Sequence, residues 1–321
     1  MNEPHLRINT ESLLSDYEFS FQVDSNGDAD FSVLCHRNGI SAALSKTKSI
    51  WDRRPHKPRE LFKPLQKSDT AEKERQVIIE EAHEMSLWLR LASSHLFSIG
   101  SPVNDVLAEC KLVQFMVAKE VISQLQLDIR IAIPQTTISN RKGFFSSLFG
   151  NHATLAIKPI SSDGLSLDEG VELPFLTQRV KTADVQSQPE DAFSAAPTFI
   201  QPYIDKQYEL RITVVGLSVF ACKIDSTKMK DDEGGVDWRA GYETGIPQSI
   251  IEVPDGLQQF CLKYLSSMTI YFGCFDFIVD KLGVYWFLEC NPNGQWMWLE
   301  EDLGFPISKA IADCLSAAKQ V

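Results

Sequence analysis

The segment Phe275-Asp-Phe-Ile-Val-Asp-Lys-Leu-Gly-Val-Tyr-Trp-Phe-Leu-Glu-Cys-Asn291 constrains this chain more than any other. Two runs of β-branched and aromatic residues flank the turn signal Asp280-Lys-Leu-Gly283, which reads as an antiparallel hairpin. Side chains alternate with period two along a strand, so the parity of the loop decides which residues share a face. An even loop pairs Val279 with Val284, Phe277 with Trp286 and Asp276 with Phe287. One face then carries Phe275, Phe277, Val279, Val284, Trp286, Leu288 and Cys290 and belongs to a core. The other gathers Asp276, Glu289 and Asn291 beside Ile278, Tyr285 and Phe287, with Glu289 diagonal to Asp276 at roughly 7–8 Å between Cα atoms. Crowded carboxylates repel unless a cation joins them, and hard oxygen donors with an amide carbonyl suit Mg²⁺ shared with substrate phosphates. The competing reading is a hairpin whose acids simply face water. Against it stands Asn291-Pro-Asn-Gly-Gln-Trp-Met-Trp298, a turn and two tryptophans directly beside the donors.

The rest of the chain supplies a setting for that hairpin. Residues 17–23 and 30–34 read as strands about the turn signal Asp24-Ser-Asn-Gly-Asp28. Prolines in Trp51-Asp-Arg-Arg-Pro-His-Lys-Pro58 exclude regular helix there. A helix is predicted from a Thr70 cap to His95 and a second over 104–125, with Leu107, Leu112, Phe115, Met116, Val121 and Ile122 on its apolar side. Strands at 153–158, 198–201, 208–215, 218–224, 273–279 and 284–290 follow, and a helix over 307–319 closes the chain. Segments 161–197 and 225–245 read as mobile loops. The class is α+β with a mainly antiparallel sheet in the C-terminal half, divided at Ser98-Ile-Gly-Ser-Pro102 into residues 1–97 and 98–321.

Charge and cysteine usage narrow the function. Forty-three acidic against 31 basic residues give a net charge of −12, which argues against nucleic acid or an anionic membrane as partner. Seven cysteines, never in CxxC spacing, read as reduced thiols of a cytoplasmic protein without a zinc site, and no signal peptide or membrane span is recognisable.

Several strings together resemble the ATP-grasp ligases, and within them the maturases of graspetides, omega-ester-containing peptides such as the microviridins. They are Phe287-Leu-Glu-Cys-Asn-Pro-Asn-Gly-Gln-Trp296 with Trp298-Leu-Glu-Glu301 and Gly304-Phe-Pro-Ile-Ser308, Tyr208-Glu-Leu-Arg-Ile-Thr-Val-Val-Gly216, Ile133-Pro-Gln-Thr-Thr-Ile-Ser-Asn140, Ile157-Lys-Pro159 and Trp51-Asp-Arg-Arg-Pro55. The resemblance runs from about Leu6 to the end. It implies an ATP-grasp fold over 98–321, two α+β subdomains gripping ATP, preceded by a shortened pre-ATP-grasp domain over 1–97 that lacks its first strand–helix unit. The sheet edge left by that absence favours pairing, so a homodimer is among the expected assemblies.

The resemblance also assigns roles. Asp276, Glu289 and Asn291 would bind two Mg²⁺ ions; Lys158 and Lys111 would meet the phosphates of ATP. Adenine would lie along Gln201, Pro202, Tyr203 and Ile204, read by backbone groups. Pro202 offers only its carbonyl there, so the donor must be Tyr203 or Ile204. Glu209 would bind the ribose, and Arg211, on the same strand face, would steady the phosphoryl group or the acyl phosphate. Lys223 is a further cation candidate, although a two-residue turn at Gly216-Leu217 would put it on the face opposite Arg211. Residues 225–239 resemble the hairpin with which the family grips its peptide, and Arg53 and Arg54 offer charge to an acidic partner. In the chemistry so implied, an Asp or Glu side chain of a ribosomally made, leader-bearing precursor peptide attacks the γ-phosphate. The resulting acyl phosphate is captured by a Ser or Thr hydroxyl or a Lys amine of the same peptide, closing an ester or amide ring. A glutamate or amino-acid ligase acting on a protein tail is the second reading, and a degenerate nucleotide-binding protein the third.

Overall fold

The computed structural model describes residues 4–53, 72–101, 103–160, 165–166, 172–173, 175–231, 234–241 and 245–318. Near the N-terminus, β1 (Tyr17–Val23), β2 (Ala29–Cys35) and β3 (Ser41–Ala43) form an antiparallel meander. Its first turn closes as the sequence predicts, with Asp24 Oδ1 accepting the amides of Asn26 and Asp28 and Gly27 in the left-handed region. Tyr17, Phe31, Val33 and Cys35 are buried on one face, where Leu89 of α1 (Glu72–Ala92) covers them. The expected cap at Thr70 lies outside the described residues. Parallel pairing of β4 (Ser49–Trp51) with β5 (Phe97–Ile99) places the anticipated division at residue 97 inside a strand.

The helix expected over 104–125 is two helices. Cys110 is extended (φ −71°, ψ 107°) between α2 (Asn104–Glu109) and α3 (Lys111–Gln124), so Lys111 begins α3 instead of sitting within a longer helix. The buried Gln114 bridges the break by donating to the Ala108 carbonyl (2.6 Å), one of the acceptors that the end of α2 leaves over.

Two sheets follow, which with β6 (Ile131–Ala132) account for most of the C-terminal part of the chain. The smaller contains β7 (Thr137–Ser139), β8 (Thr154–Lys158), β11 (Gln178–Lys181) and β12 (Thr198–Pro202) in the order β11-β8-β12-β7. Phe145, Leu148, Val185 and Phe193 pack with Leu155 and Ile200 on one side of it. The stretch 161–197, expected to be loop, holds β9 (Leu165–Ser166), β10 (Glu172–Leu173), β11 and helical segments at Thr182–Ser187 and Glu190–Ser194. Elements of two to six residues are too short for their periodicity to stand out from a polar background.

The larger sheet adds β13 (Lys206–Val215), β14 (Ser218–Ile224), β15 (Gln248–Ile250), β16 (Phe272–Asp280) and β17 (Tyr285–Asn291), in the order β15-β14-β13-β16-β17-β6. All its pairs are antiparallel except β17 with β6. One face carries Leu210, Ile212, Phe275, Phe277, Val279 and Phe287 into a core shared with α3 and α4 (Asp255–Ser267). Phe260 and Tyr264 of α4 meet Phe277 and Phe275 edge-on at 6.0 and 5.4 Å. A second core joins Cys274, Trp296, Trp298 and Phe305 to α5 (Met297–Leu303) and α6 (Ile307–Ser316). All seven cysteines are free thiols. Among the described residues no helix is long and apolar enough to cross a membrane.

Candidate active site

The hairpin brings its oxygen donors together by a route the sequence does not disclose. Its loop is odd: Asp280 donates its amide to the Val284 carbonyl (3.1 Å), leaving Lys281-Leu282-Gly283 at the tip with Gly283 at φ +76°. Asp280 Oδ1 accepts the amides of Leu282 and Val284, while Oδ2 takes the Trp286 indole N–H. Val279 therefore faces Tyr285 and Phe277 faces Phe287, each one residue from the predicted partner. That parity alone would turn Glu289 away from Asp276. A β-bulge at Leu288 inserts one residue and restores it, so Asp276 stands directly opposite Glu289 and Cys274 opposite Asn291. Phe287 and Tyr285, not Trp286 and Leu288, therefore join the core face.

Across the sheet Arg211, Asp276 and Glu289 form one row on β13, β16 and β17. Arg211 Nη1 donates to Asp276 Oδ2 (2.7 Å) and Nη2 to the Gln295 carbonyl (3.2 Å). From α3, Lys111 pairs with Glu289 Oε2. One helical turn further on, Gln114 Nε2 donates to the Cys290 carbonyl (2.9 Å) and its Oε1 accepts the Cys290 amide (3.1 Å). Gln114 thus acts as a one-residue strand on the edge of β17, and it fixes where Lys111 meets the acid. Burial, then the charge of Glu289, pushes the Asp276 carboxyl up, against the pull of Arg211. Burial works the same way on Glu289, but Lys111, with Lys158 and Arg239, overcomes it and holds that carboxyl below its usual range. Asp276 Oδ1 is buried without a hydrogen-bond partner.

Lys158 ends β8 above this row. Burial pushes its pKa down to about 8, Lys111 adding to the effect and Glu289 opposing it. Glu209, on the face of Arg211, accepts Lys206 Nζ (2.7 Å) and Ser226 Oγ (2.6 Å) on the same oxygen, Oε1. At the crossing between sheets, the Gln201 side chain is spent on Thr136 Oγ1 (2.8 Å), and the Tyr203 amide donates to the Thr154 carbonyl (3.0 Å). Of the two donors expected beside Pro202, this leaves Ile204. Lys223 is not part of the site. The two-residue turn puts it opposite Leu210, on the other face, with its ammonium 4.8 Å from the centre of the Tyr208 ring.

Residues 225–239 form no strand pair among the described residues. They make short turns at Ser226–Lys228 and Trp238–Gly241. What they bring to the site passed unnoticed in the sequence. Asp237 holds Arg239 through two bonds (2.8 and 2.6 Å) and accepts the Thr177 amide (3.0 Å). Trp238 lies 5.2 Å from Trp298 and beneath the Arg211 guanidinium. The Asp237 bonds, with burial opposing, drive Arg239 further into its charged state, and the field of Glu289 and Asp276 adds to this. The only advance signal is Asp-Trp-Arg in a charged loop, an acid and a base close enough in sequence to pair. Lys206 was missed as well. Arg53 proves to lie against the stacked pair Trp51 and Trp296, and Arg54 lies outside the described residues.

No family model matches the chain, and no curated protein matches it. Solved structures do. A ligase described as a RiPP-associated ATP-grasp ligase of Chryseobacterium gregarium, in complex with ADP and a leader and core peptide, is 22% identical. That alignment covers 98% of this chain and 91% of the ligase at a TM-score of 0.84. The macrocyclase MdnC of Microcystis aeruginosa MRC, bound with precursor peptide MdnA, is 22% identical over 98% of this chain and 90% of its own, with a TM-score of 0.75. The macrocyclase MdnB of the same organism is 23% identical over 98% and 90%, at 0.69. The chain has the ATP-grasp fold.

Proposed function

We propose that the chain is an ADP-forming peptide macrocyclase. In this reading it activates Asp or Glu side chains of a ribosomally made precursor as acyl phosphates and joins them to Ser or Thr hydroxyls or Lys amines of the same peptide. The observation that carries the proposal is the row Arg211–Asp276–Glu289 with Asn291 beside it, facing the two lysines of the small sheet and α3. A buried carboxylate oxygen with no donor is an expensive thing to fold unless a ligand completes it, and Asp276 Oδ1 is one. Among the described residues no three His, Cys, Asp or Glu side chains gather as a ready cation cage. Two acids and an amide suit Mg²⁺ that takes its remaining ligands from nucleotide phosphates and water. Asp276, Glu289 and Asn291 would hold it, and it would supply neutralisation of the charge that develops on the phosphates. Until then Lys111 stands on Glu289 in the place of a cation.

The chain's own groups divide the remaining work. The Ile204 amide and the Pro202 carbonyl line the adenine edge, and Glu209 keeps Oε2 for a ribose hydroxyl while Lys206 and Ser226 occupy Oε1. Lys158 meets the phosphates as a point charge. Arg211 and Arg239, each pinned by an aspartate, present guanidinium groups that can orient an acidic side chain for attack and then steady the acyl phosphate. Holding acyl phosphate and acceptor in one cleft makes ring closure effectively intramolecular. The neighbours in complex with ADP and with leader, core or precursor peptides support the same assignment, and the acidic net charge fits a peptide partner better than a nucleic acid.

The test is co-expression with a candidate precursor rich in Thr, Ser or Lys and Asp or Glu, followed by intact mass and ADP release. Loss of one water per ring with peptide-dependent ADP supports the proposal; ADP release that follows a free amino acid instead indicates the ligase acting on a protein tail.

A further inference from the structure

We propose that Arg53 is a positioning residue for the turn Asn291-Pro-Asn-Gly-Gln295, fixing from the N-terminal part of the chain the end of β17 that carries Asn291; this rests on reading Asn291 as a cation ligand. The last ladder pair of the hairpin is Cys274 with Asn291. Beyond it the turn leaves the sheet, held by its own bonds, the Asn293 and Gly294 amides donating to Asn291, and by contacts from other elements. Arg211 Nη2 donates to the Gln295 carbonyl, and Asn293 Nδ2 donates to Asp105 (3.2 Å) and Glu109 (3.3 Å) of α2. Arg53 Nη1 donates to the Gly294 carbonyl (3.4 Å).

The third contact comes with a frame built round it. The Arg53 guanidinium lies 5.4 Å from the Trp51 ring centre and 5.8 Å from that of Trp296, and the two indoles are stacked with centres 6.4 Å apart. Trp296 directly follows the turn and is 5% exposed, so the guanidinium touches both the turn's carbonyl and its anchor. The root of Arg53 is itself immobilised. Asp52 donates its amide to Ile99 (3.0 Å), and its carboxylate takes both Nε and Nη2 of Arg90 on α1. Gly100, at φ +77°, lies so close that a Cβ there would come 2.1 Å from the Asp52 carbonyl oxygen. A planar guanidinium lying against the edge of two stacked rings, within reach of both, holds its direction in a way a flexible ammonium cannot. The arrangement transmits the position of the β4–β5 ladder to the metal-ligating strand end.

The test compares wild type, Arg53→Ala and Arg53→Lys in two measurements. Amide hydrogen exchange should rise about tenfold at residues 293–295 in Arg53→Ala, while amides of β16 stay as protected as in wild type. Mn²⁺ binding to the protein–ADP complex, followed by electron paramagnetic resonance, should weaken by a similar factor, with ADP binding in the absence of metal unchanged. Arg53→Lys should follow Arg53→Ala in both, because it restores charge without the plane. Unchanged exchange at 293–295 overturns the proposal, and so does faster exchange with unaltered Mn²⁺ affinity. Loosening that extends to β16 assigns Arg53 a general structural role and overturns it too. Should wild type with ADP take up no Mn²⁺, the cation reading of Asn291 fails, and the exchange measurement alone decides whether Arg53 fixes the turn.

Discussion

Two acids in the site region sit in opposite predicaments, and each yields a prediction. Glu289 is kept ionised by three cations, so Glu289→Gln removes the charge that both Lys111 and a metal would need while preserving shape. ADP release should fall by more than about 100-fold, since a metal's share of charge stabilisation is several kcal/mol, with the thermal midpoint changed by a few degrees at most. Persisting turnover would refute the ligand assignment. Asp105, 6% exposed, is the reverse case: burial, then the charges of Asp52 and Glu109, push its carboxyl up to about 7, against the hydrogen bonds of the Ser101 backbone amide and the Asn293 side chain. Its folded value lies above the ordinary 3.8, so between about pH 4 and 7 the unfolded chain gives up a proton that the folded one keeps. Stability contributed by this group is present at low pH and is lost as pH rises through that window, by on the order of 2–4 kcal/mol. Asp105→Asn retains an acceptor for Asn293 and should flatten the urea midpoint across pH 4–7, raising it at pH 7.5. A slope unaltered by the substitution would place the titration elsewhere. Neither predicament was legible in the sequence. Glu289 announces itself through its neighbours in Glu-Cys-Asn-Pro-Asn-Gly, whereas Asp105 looks like any first-turn helix acid until Asn293 is brought against it.

At the scale of elements, the hairpin shows what period-two reasoning can and cannot deliver. The strands were legible because Val, Ile, Phe and Tyr crowd them, and the convergence of Asp276, Glu289 and Asn291 was anticipated. The pairing was not. A one-residue change at the tip and a one-residue bulge at Leu288 are each invisible to alternation, and together they cancel. A helix here was anticipated but its apolar side only in part: Leu107, Leu112 and Met116 are exposed, while α3 buries Gln114, Ala118 and Val121, and its start at Lys111 depends on Gln114 capturing carbonyls from two other segments, a tertiary cause with no local trace. The turn after β17 depends equally on close approach. A Cβ at Gly294 would stand 2.4 Å from Cys274 Cβ and 2.9 Å from Arg211 Nη2, both on strands that cannot retreat. Gly294→Ala should therefore destabilise the protein by about 1–3 kcal/mol, as overpacking does, and should also detach Arg211 from Gln295. Chemical denaturation should report the first effect. A loss of peptide-dependent ADP release well beyond the unfolded fraction should report the second; activity in proportion to folded protein would show that the turn tolerates the shift.

For the whole molecule, the question is what links the two sheets between which, in the proposed function, a nucleotide would lie. The chain crosses between them at residues 203–205, and the loop of Asp237 straps back by accepting the Thr177 amide just before β11. That loop is also fixed to the large sheet by Lys206, which donates to the Val236 carbonyl (3.2 Å). The strand-rich second half of the sequence read as one mainly antiparallel sheet and the division into two came with the family resemblance, but the strap was legible in neither, since its partners lie sixty residues apart in stretches that read as loop. In the proposed reading, a nucleotide enclosed between the sheets adds to these links. A ligand that binds only the closed form stabilises it by RT ln(1 + [L]/Kd), about 2.7 kcal/mol at a hundredfold excess over Kd. ADP with Mg²⁺ should accordingly raise the thermal midpoint by several degrees. Chelation of Mg²⁺ should reverse most of the gain, because Asp276 and Glu289 would again face the phosphates uncompensated. Asp237→Asn exchanges the ionic grip on Arg239 for a weaker neutral one. It should leave the ADP-dependent shift in place but shrink it, while raising the KM for an acidic precursor through the loosened Arg239. If the midpoint responds equally to ADP with and without Mg²⁺, the nucleotide is not held through the carboxylates of β16 and β17, and the cleft works in some other way.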